Sequence, residues 1–164
     1  MSICGPLFGA VVDVLQAAAT AGSIGSGTVK VDPARVYQAA MPQANLQRPS
    51  LCIALPTAPY DSSDWGATQN IRNGIFKVQV GLVADVSQDA GVAHPYGDGT
   101  NPGILTLADD VANALENGKA AFYAATARLV DYSVSSAAFA KEDALVASAT
   151  ITITFKTRFQ AGAR

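Results

Sequence analysis

Histidine, cysteine and charge are all scarce in this chain, and each shortage removes a class of function. His94 is the one histidine in 164 residues, so a Ser-His-Asp or Cys-His arrangement has no other base to draw on. Cys4 and Cys52 are the two cysteines; neither lies in a CxxC or His-rich spacing, so the sequence implies no disulfide framework or metal site and both read as small packing residues. Charged residues make up 15% of the chain, few for a free-standing monomer, so some apolar surface is expected to be hidden against other chains. The formal charge of -2 and pI near 5.2 lack the basic excess that drives phosphate-backbone binding. No apolar run approaches the ~18 residues of a membrane span. Met1-Ser2-Ile3-Cys4-Gly5-Pro6 lacks the basic start of a signal peptide, so the product is expected to stay in the cytoplasm until it joins something.

What is present reads as one domain over residues 1–164, large enough to bury its own core, with no internal repeat, low-complexity tract or linker. Leu7, Ala10, Val11, Val14, Leu15 and Ala18 recur at helical spacing after Pro6, and Gly22 marks the stop. Residues 22–27 read as a flexible connector rather than a phosphate loop, because a helix precedes them and no Gly-Lys-Ser/Thr follows. One or two short strands interrupted by Asp32-Pro33 are expected in 29–37, and a doubly covered strand at Leu51-Cys52-Ile53-Ala54-Leu55. Residues 56–70, with the single tryptophan, read as a long loop.

Alternation is strongest in two places. In 75–86, Phe76, Val78, Val80, Leu82 and Ala84 share one face, with Lys77 and Gln79 on the other. Gly81 interrupts that outer face and suggests a bulge or close backbone neighbour, and the strand's length, roughly 35–40 Å at about 3.3 Å per residue, suggests a far end projecting toward a neighbour. In 147–159, Ala149, Ile151, Ile153 and Phe155 oppose Thr150, Thr152, Thr154 and Lys156, which predicts a half-buried antiparallel strand. Residues 87–103 between them form a second loop, and a helix is expected at Ile104 to Leu115, capped by Asn101 and Pro102 and closed by Asn117-Gly118. A further strand is expected in 126–134, with Leu129 facing opposite to Val130, Tyr132 and Val134. The sum is an α+β fold: two helices packed on a mixed, largely antiparallel sheet.

No catalytic constellation emerges. Asp85, Asp89, His94 and Asp98 match no known ligand array and read as a solvated acidic loop, while adjacent Asp109 and Asp110 diverge on a helix and read as a solvated face. No catalytic residue, cofactor or metal is therefore assigned. Tyr60, Trp65 and Tyr96 are aromatics in turn-rich segments, suited either to anchoring an interface or to folding back on their own domain.

Taken together, the Leu7-to-Leu15 helix, the Pro49-Ser50-Leu51-Cys52-Ile53-Ala54-Leu55 strand, the Phe76–Leu82 strand, the Ile104-to-Leu115 helix and the Ile151-Thr152-Ile153-Thr154-Phe155 strand resemble, as a pattern of elements, the tail terminator and tail-completion proteins of long-tailed bacteriophages. That resemblance implies a non-enzymatic structural protein of the virion. It would form a ring, typically a hexamer, that ends tail-tube polymerisation and docks the head-neck assembly at the head-proximal end of the tail. Its partners would be further copies of itself, the tail-tube protein and a neck or head-completion protein, with the ring surrounding the DNA channel. The expected contacts are the long strand with Gly81 and the two loops carrying Tyr60, Trp65, His94 and Tyr96. Two rivals stay open: another neck, head-completion or minor tail protein, and a small-ligand-binding domain or hydrolase.

Overall fold

A computed structural model describes residues 3–25, 30–38, 49–61, 71–85, 87–89, 92–94, 103–141 and 146–160. Trp65 and Tyr96 lie outside these residues. In chain order the elements are α1 (Cys4–Thr20), a 3-10 turn (Pro33–Arg35), β1 (Val36–Tyr37), β2 (Ser50–Ala54), β3 (Tyr60–Asp61), β4 (Ile71–Asp85), β5 (Ser87–Asp89), β6 (Val92–His94), α2 (Ile104–Asn117), α3 (Lys119–Ala125), β7 (Leu129–Val134), β8 (Ala138–Lys141) and β9 (Val146–Gln160). The architecture is α+β, with three helices and a mixed sheet among the described residues.

The two strongly alternating segments form the spine of the sheet. β4 and β9, fifteen residues each, pair antiparallel without a break from Ile71↔Gln160 to Asp85↔Val146. β2 and β3 lie along the other edge of β4, and β7 and β8 follow one another along the far edge of β9. β1 adds the sheet's parallel pair, to β2. The side chains of Leu51 and Ile53, of Phe76, Val78, Val80, Leu82 and Ala84, and of Ala149, Ile151, Ile153 and Phe155 are all buried on one face. α2 covers that face, lying against β4, β9 and β7, and α1 packs on α2 and α3. Leu7, Val11 and Leu15 of α1, Leu107, Val111 and Leu115 of α2, and Phe122 of α3 complete the core.

α1 ends as its glycine predicts. Gly22 takes a left-handed conformation (φ 71°), its amide donates to the Ala19 carbonyl at 3.0 Å, and the Ser23 amide donates to Ala18 at 2.9 Å. This double bond pair is the Schellman arrangement, which satisfies the last carbonyls of the helix. The segment that follows is not a loose connector: Ile24 is fully buried and the amide of Gly25 donates to the Asp110 carboxylate at 2.9 Å. Asp110 therefore ties the end of α1 to α2, whereas Asp109 is exposed as expected.

Several expectations are corrected. Among the described residues there are three helices rather than two, because the chain resumes helical geometry straight after Gly118 and uses α3 to bury Phe122. The region before β1 is a 3-10 turn capped by the Asp32 side chain, which accepts from the Ala34 amide. α2 starts at Ile104 with Gly103 at the cap, while Asn101 and Pro102 lie outside the described residues. β2 is covered on one face alone: Leu51 and Ile53 are buried, but Cys52 and Ala54 are half-buried and Leu55, just past the strand, is exposed. A register shift between Leu129 and Asp131 turns Val130 outward and puts Leu129, Tyr132 and Val134 on the inner face together. That is the effect of a bulge, one residue out of step with simple alternation. Within 87–103, β5 and β6 form a small antiparallel hairpin instead of irregular loop. Among the described residues β4 pairs with β9 alone at both ends, at Ala84 and Asp85 as well as at its start, where Ile71, Arg72 and Asn73 do so.

Candidate functional site

The helices cover one face of the sheet, and among the described residues no helix crosses the other. Alternation on β4 and β9 sends Ile75, Lys77, Gln79 and Gly81 to this open face together with Thr150, Thr152, Thr154, Lys156 and Arg158. Cys52 and Ala54 of β2 extend it. Short side chains dominate its centre: Gly81 sits between Cys52 and Thr150, so the surface there is shallow and able to accept a flat partner.

Register decides where its charges fall. Lys77 is opposite Thr154, Lys156 opposite Ile75 and Arg158 opposite Asn73, so the three cations occupy successive rungs and are all exposed. Arg158 is oriented by its Nε, which donates to the Asn73 side-chain oxygen at 3.2 Å. Carboxylate residues share the outward positions: Asp131 is opposite Lys156, Asp61 is opposite Ile75 on the same rung, and Asp85 ends the outward series of β4. The outward phase of Lys77 and of Lys156 is legible from alternation, but their adjacency depends on strand register.

One corner of the open face is sealed by a small cluster, Val83 and Val146 with Tyr37 packed on them. Ser50, directly opposite Val83, buries its hydroxyl there with no hydrogen-bond partner among the described residues. An orphaned buried hydroxyl of this kind costs about 1–3 kcal/mol.

Gly81 is neither a bulge nor a point of tight backbone approach. Its pairing to Cys52 and Thr150 is regular, and a Cβ would meet the Cys52 carbonyl oxygen at 3.7 Å, an ordinary contact. A strand glycine without a geometric reason weakens its strand. Gly81→Thr is therefore expected to raise the unfolding free energy by roughly 0.5–1 kcal/mol, measured by urea denaturation; a loss of stability would show that the site needs glycine.

The other expected contact residues do not converge with Gly81. The backbone of Tyr60 pairs with Phe76 in β3, on the inner-facing rung, and His94 is opposite Ser87 in the separate β5–β6 hairpin. Asp85 and Asp89 belong to β4 and β5, and Asp98 lies outside the described residues.

The helical layer offers a second surface. An open groove of about 500 Å³ runs between the three helices, lined by Val14, Ala17, Ala18, Asp110, Ala114 and Gly118 among others. Asp13, Asp109 and Glu116 are exposed on this side and Asp110 is partly so, against the cations Lys119 and Lys30. Beside the groove, Lys119 lies over the Tyr123 ring, 5.9 Å from its centre, and the Tyr132 hydroxyl donates to the Glu116 carbonyl at 2.7 Å.

Neither shifted titrating group is poised for nucleophilic work. Burial pushes the Cys4 thiol up, away from the thiolate that reacts. The Tyr132 phenol is raised first by burial and then by Tyr123, Glu116 and Asp131. Among the described residues, no group of three or more His, Cys, Asp or Glu side chains is placed to hold a metal ion, and no helix is long and apolar enough to cross a membrane. The chain matches no protein-family model and no curated protein sequence.

Proposed function

We propose that this chain is a tail terminator of a long-tailed bacteriophage, a structural protein that closes into a ring, ends tail-tube polymerisation and joins the tail to the head-neck connector. The observation that carries the reading is the open face of the β4–β9 spine: a fifteen-residue strand pair is longer than the helices it carries need, and its outer side is flat, polar and bare of any described helix. A surface of that kind suits subunit-to-subunit packing better than substrate capture, because its described residues form no concavity and include no activated nucleophile. Ring closure needs a heterologous contact, one face of a subunit against a different face of the next. The partners in this reading are further copies of the chain, most simply six, the tail-tube protein and a neck protein. The protein resides at the head-proximal end of the tail and has no enzymatic role.

The groove between the helices favours one rival, a small-ligand-binding module. Its carboxylate, Asp110, is already engaged by the Gly25 amide, which leaves the lining mostly small and apolar.

The test adds purified chain to polymerising tail-tube protein and reads native mass and tube length together. The expected result is an oligomer in solution and tubes that stop growing, with the chain at one end. Tubes that grow unchanged, with no bound chain, would overturn the terminator reading.

A further inference from the structure

Four strands of the main sheet have a neighbour on one side alone among the described residues: β1 and β3, of two residues each, β8, of four, and β7, of six. A very short edge strand offers little template for another chain, so β7 is the edge most open to one. Its sequence, Leu129-Val130-Asp131-Tyr132-Ser133-Val134, has β-branched and aromatic residues, one charge and no proline or glycine, a composition that pairs readily with a further strand. Register shows which of its backbone groups face outward. The Ser135 amide donates to the Thr152 carbonyl at 2.9 Å, and residues of an antiparallel pair bond across it alternately. Asp131 and Ser133 therefore bond to β9, while Tyr132 and Val134 turn their amides and carbonyls to the outer edge.

The same edge is closed at Val130. The register shift between Leu129 and Asp131 skips Val130 in the pairing with β9, and its carbonyl accepts instead from the Tyr123 hydroxyl at 3.1 Å. Tyr123 belongs to α3 and is held from two sides. Lys119, one helical turn earlier, lies over its ring at 5.9 Å, and the Tyr132 ring meets it edge-on at 6.5 Å. Tyr132 is fixed in turn, its hydroxyl donating to the Glu116 carbonyl at 2.7 Å. Tyr123 stays exposed, so the filling of the core does not account for its position.

We infer that Tyr123 is an edge guard, which occupies the Val130 carbonyl and overhangs β7 so that the sheet does not take up a further strand from a second copy of this chain. A strand arriving along β7 has to follow Val130 as well as Tyr132 and Val134. With Val130 bulged out of register and its carbonyl capped, the edge left for pairing is as short as the other edges of the sheet. The inference does not rest on the ring reading; it identifies an edge through which copies do not join.

The test compares wild type, Tyr123→Ala and the double variant Tyr123→Ala/Val130→Lys over a concentration series. Light scattering reads native mass, and NMR reads amide hydrogen exchange at Tyr132 and Val134. In wild type both amides are expected to exchange as open groups at every concentration. Tyr123→Ala is expected to reach about twice the wild-type mass as two β7 edges pair, and exchange at both amides is expected to slow roughly tenfold with it. A lysine on the edge opposes such pairing, so the double variant is expected to return to the wild-type mass with both amides open again. If the alanine variant does not fold, Tyr123→Phe, which keeps the ring and loses the hydroxyl, is read by the same two measurements. Association that leaves the two amides open, or that the lysine does not reverse, would come from another surface and would overturn the inference. So would a Tyr123 variant that keeps the wild-type mass, or protected amides in wild type, where the edge would already be taken.

Discussion

Phe155→Ala is expected to lower the unfolding free energy by about 3–5 kcal/mol, the largest effect of any single side chain in this fold. Phe155 is fully buried at the middle of β9, and three rings converge on it. Phe76 of β4 stacks against it at 6.3 Å, Phe122 of α3 meets it edge-on at 5.3 Å, and Tyr132 of β7 lies tilted at 6.2 Å. Phe122 and Tyr132 also meet edge-on at 5.1 Å. Such pairs contribute about 0.5–1.5 kcal/mol each beyond the area they bury. Truncating Phe155 removes three of these contacts at once and opens a cavity bordered by strands of a continuous sheet, which cannot collapse inward to fill it. The midpoint of urea unfolding measures the loss. A change below about 1 kcal/mol, the cost typical of a peripheral site, would mean that the cluster is not the centre of the core.

Gly118→Ala is the second large effect, and its cause is packing rather than backbone strain. Gly118 has φ -72° and ψ 4°, which any residue can adopt, so an unstrained site would gain about 0.5–1 kcal/mol from the substitution. Here a Cβ would lie 2.9 Å from two Phe122 ring atoms and 3.1 Å from a Val14 methyl. Phe122 is fully buried between Phe155 and Tyr132, so its ring has nowhere to move. Overpacking of this kind costs about 1–3 kcal/mol, and a net destabilisation is expected on thermal or urea unfolding. A stabilised Gly118→Ala would show that α3 can shift away from α1. The contrast with Gly81 is direct: both glycines lie at or within regular elements, and the neighbours of each determine the sign of the change.

The parts of the fold legible in the sequence are those with a long unbroken period. α1 and α2 follow from their apolar spacing. β4 and β9 follow from alternation that continues over many residues, because a period of two over so long a run admits no helical alternative. α3 was not legible: seven residues with one fully buried side chain carry no period, and Gly118 before them reads as a stop. The outward turn of Val130 was not legible either, since a bulge is defined by the partner strand and not by the sequence that bulges. The candidate site divides the same way. Which residues of β4 and β9 face outward follows from alternation, so Gly81, Lys77 and Lys156 could be placed on an outer face from sequence. That Lys77, Lys156 and Arg158 share one patch depends on the pairing of two strands far apart in the chain. Composition and spacing carry no information about it.

The proposed role of this domain rests on its closing into a ring through its open sheet face. Native mass in solution tests it most directly, by mass spectrometry or light scattering of the purified chain over a range of concentrations. A single closed assembly at a fixed multiple of the 16.8 kDa subunit is expected, most simply six copies. A species of 16.8 kDa at every concentration, with or without tail-tube protein, would contradict it.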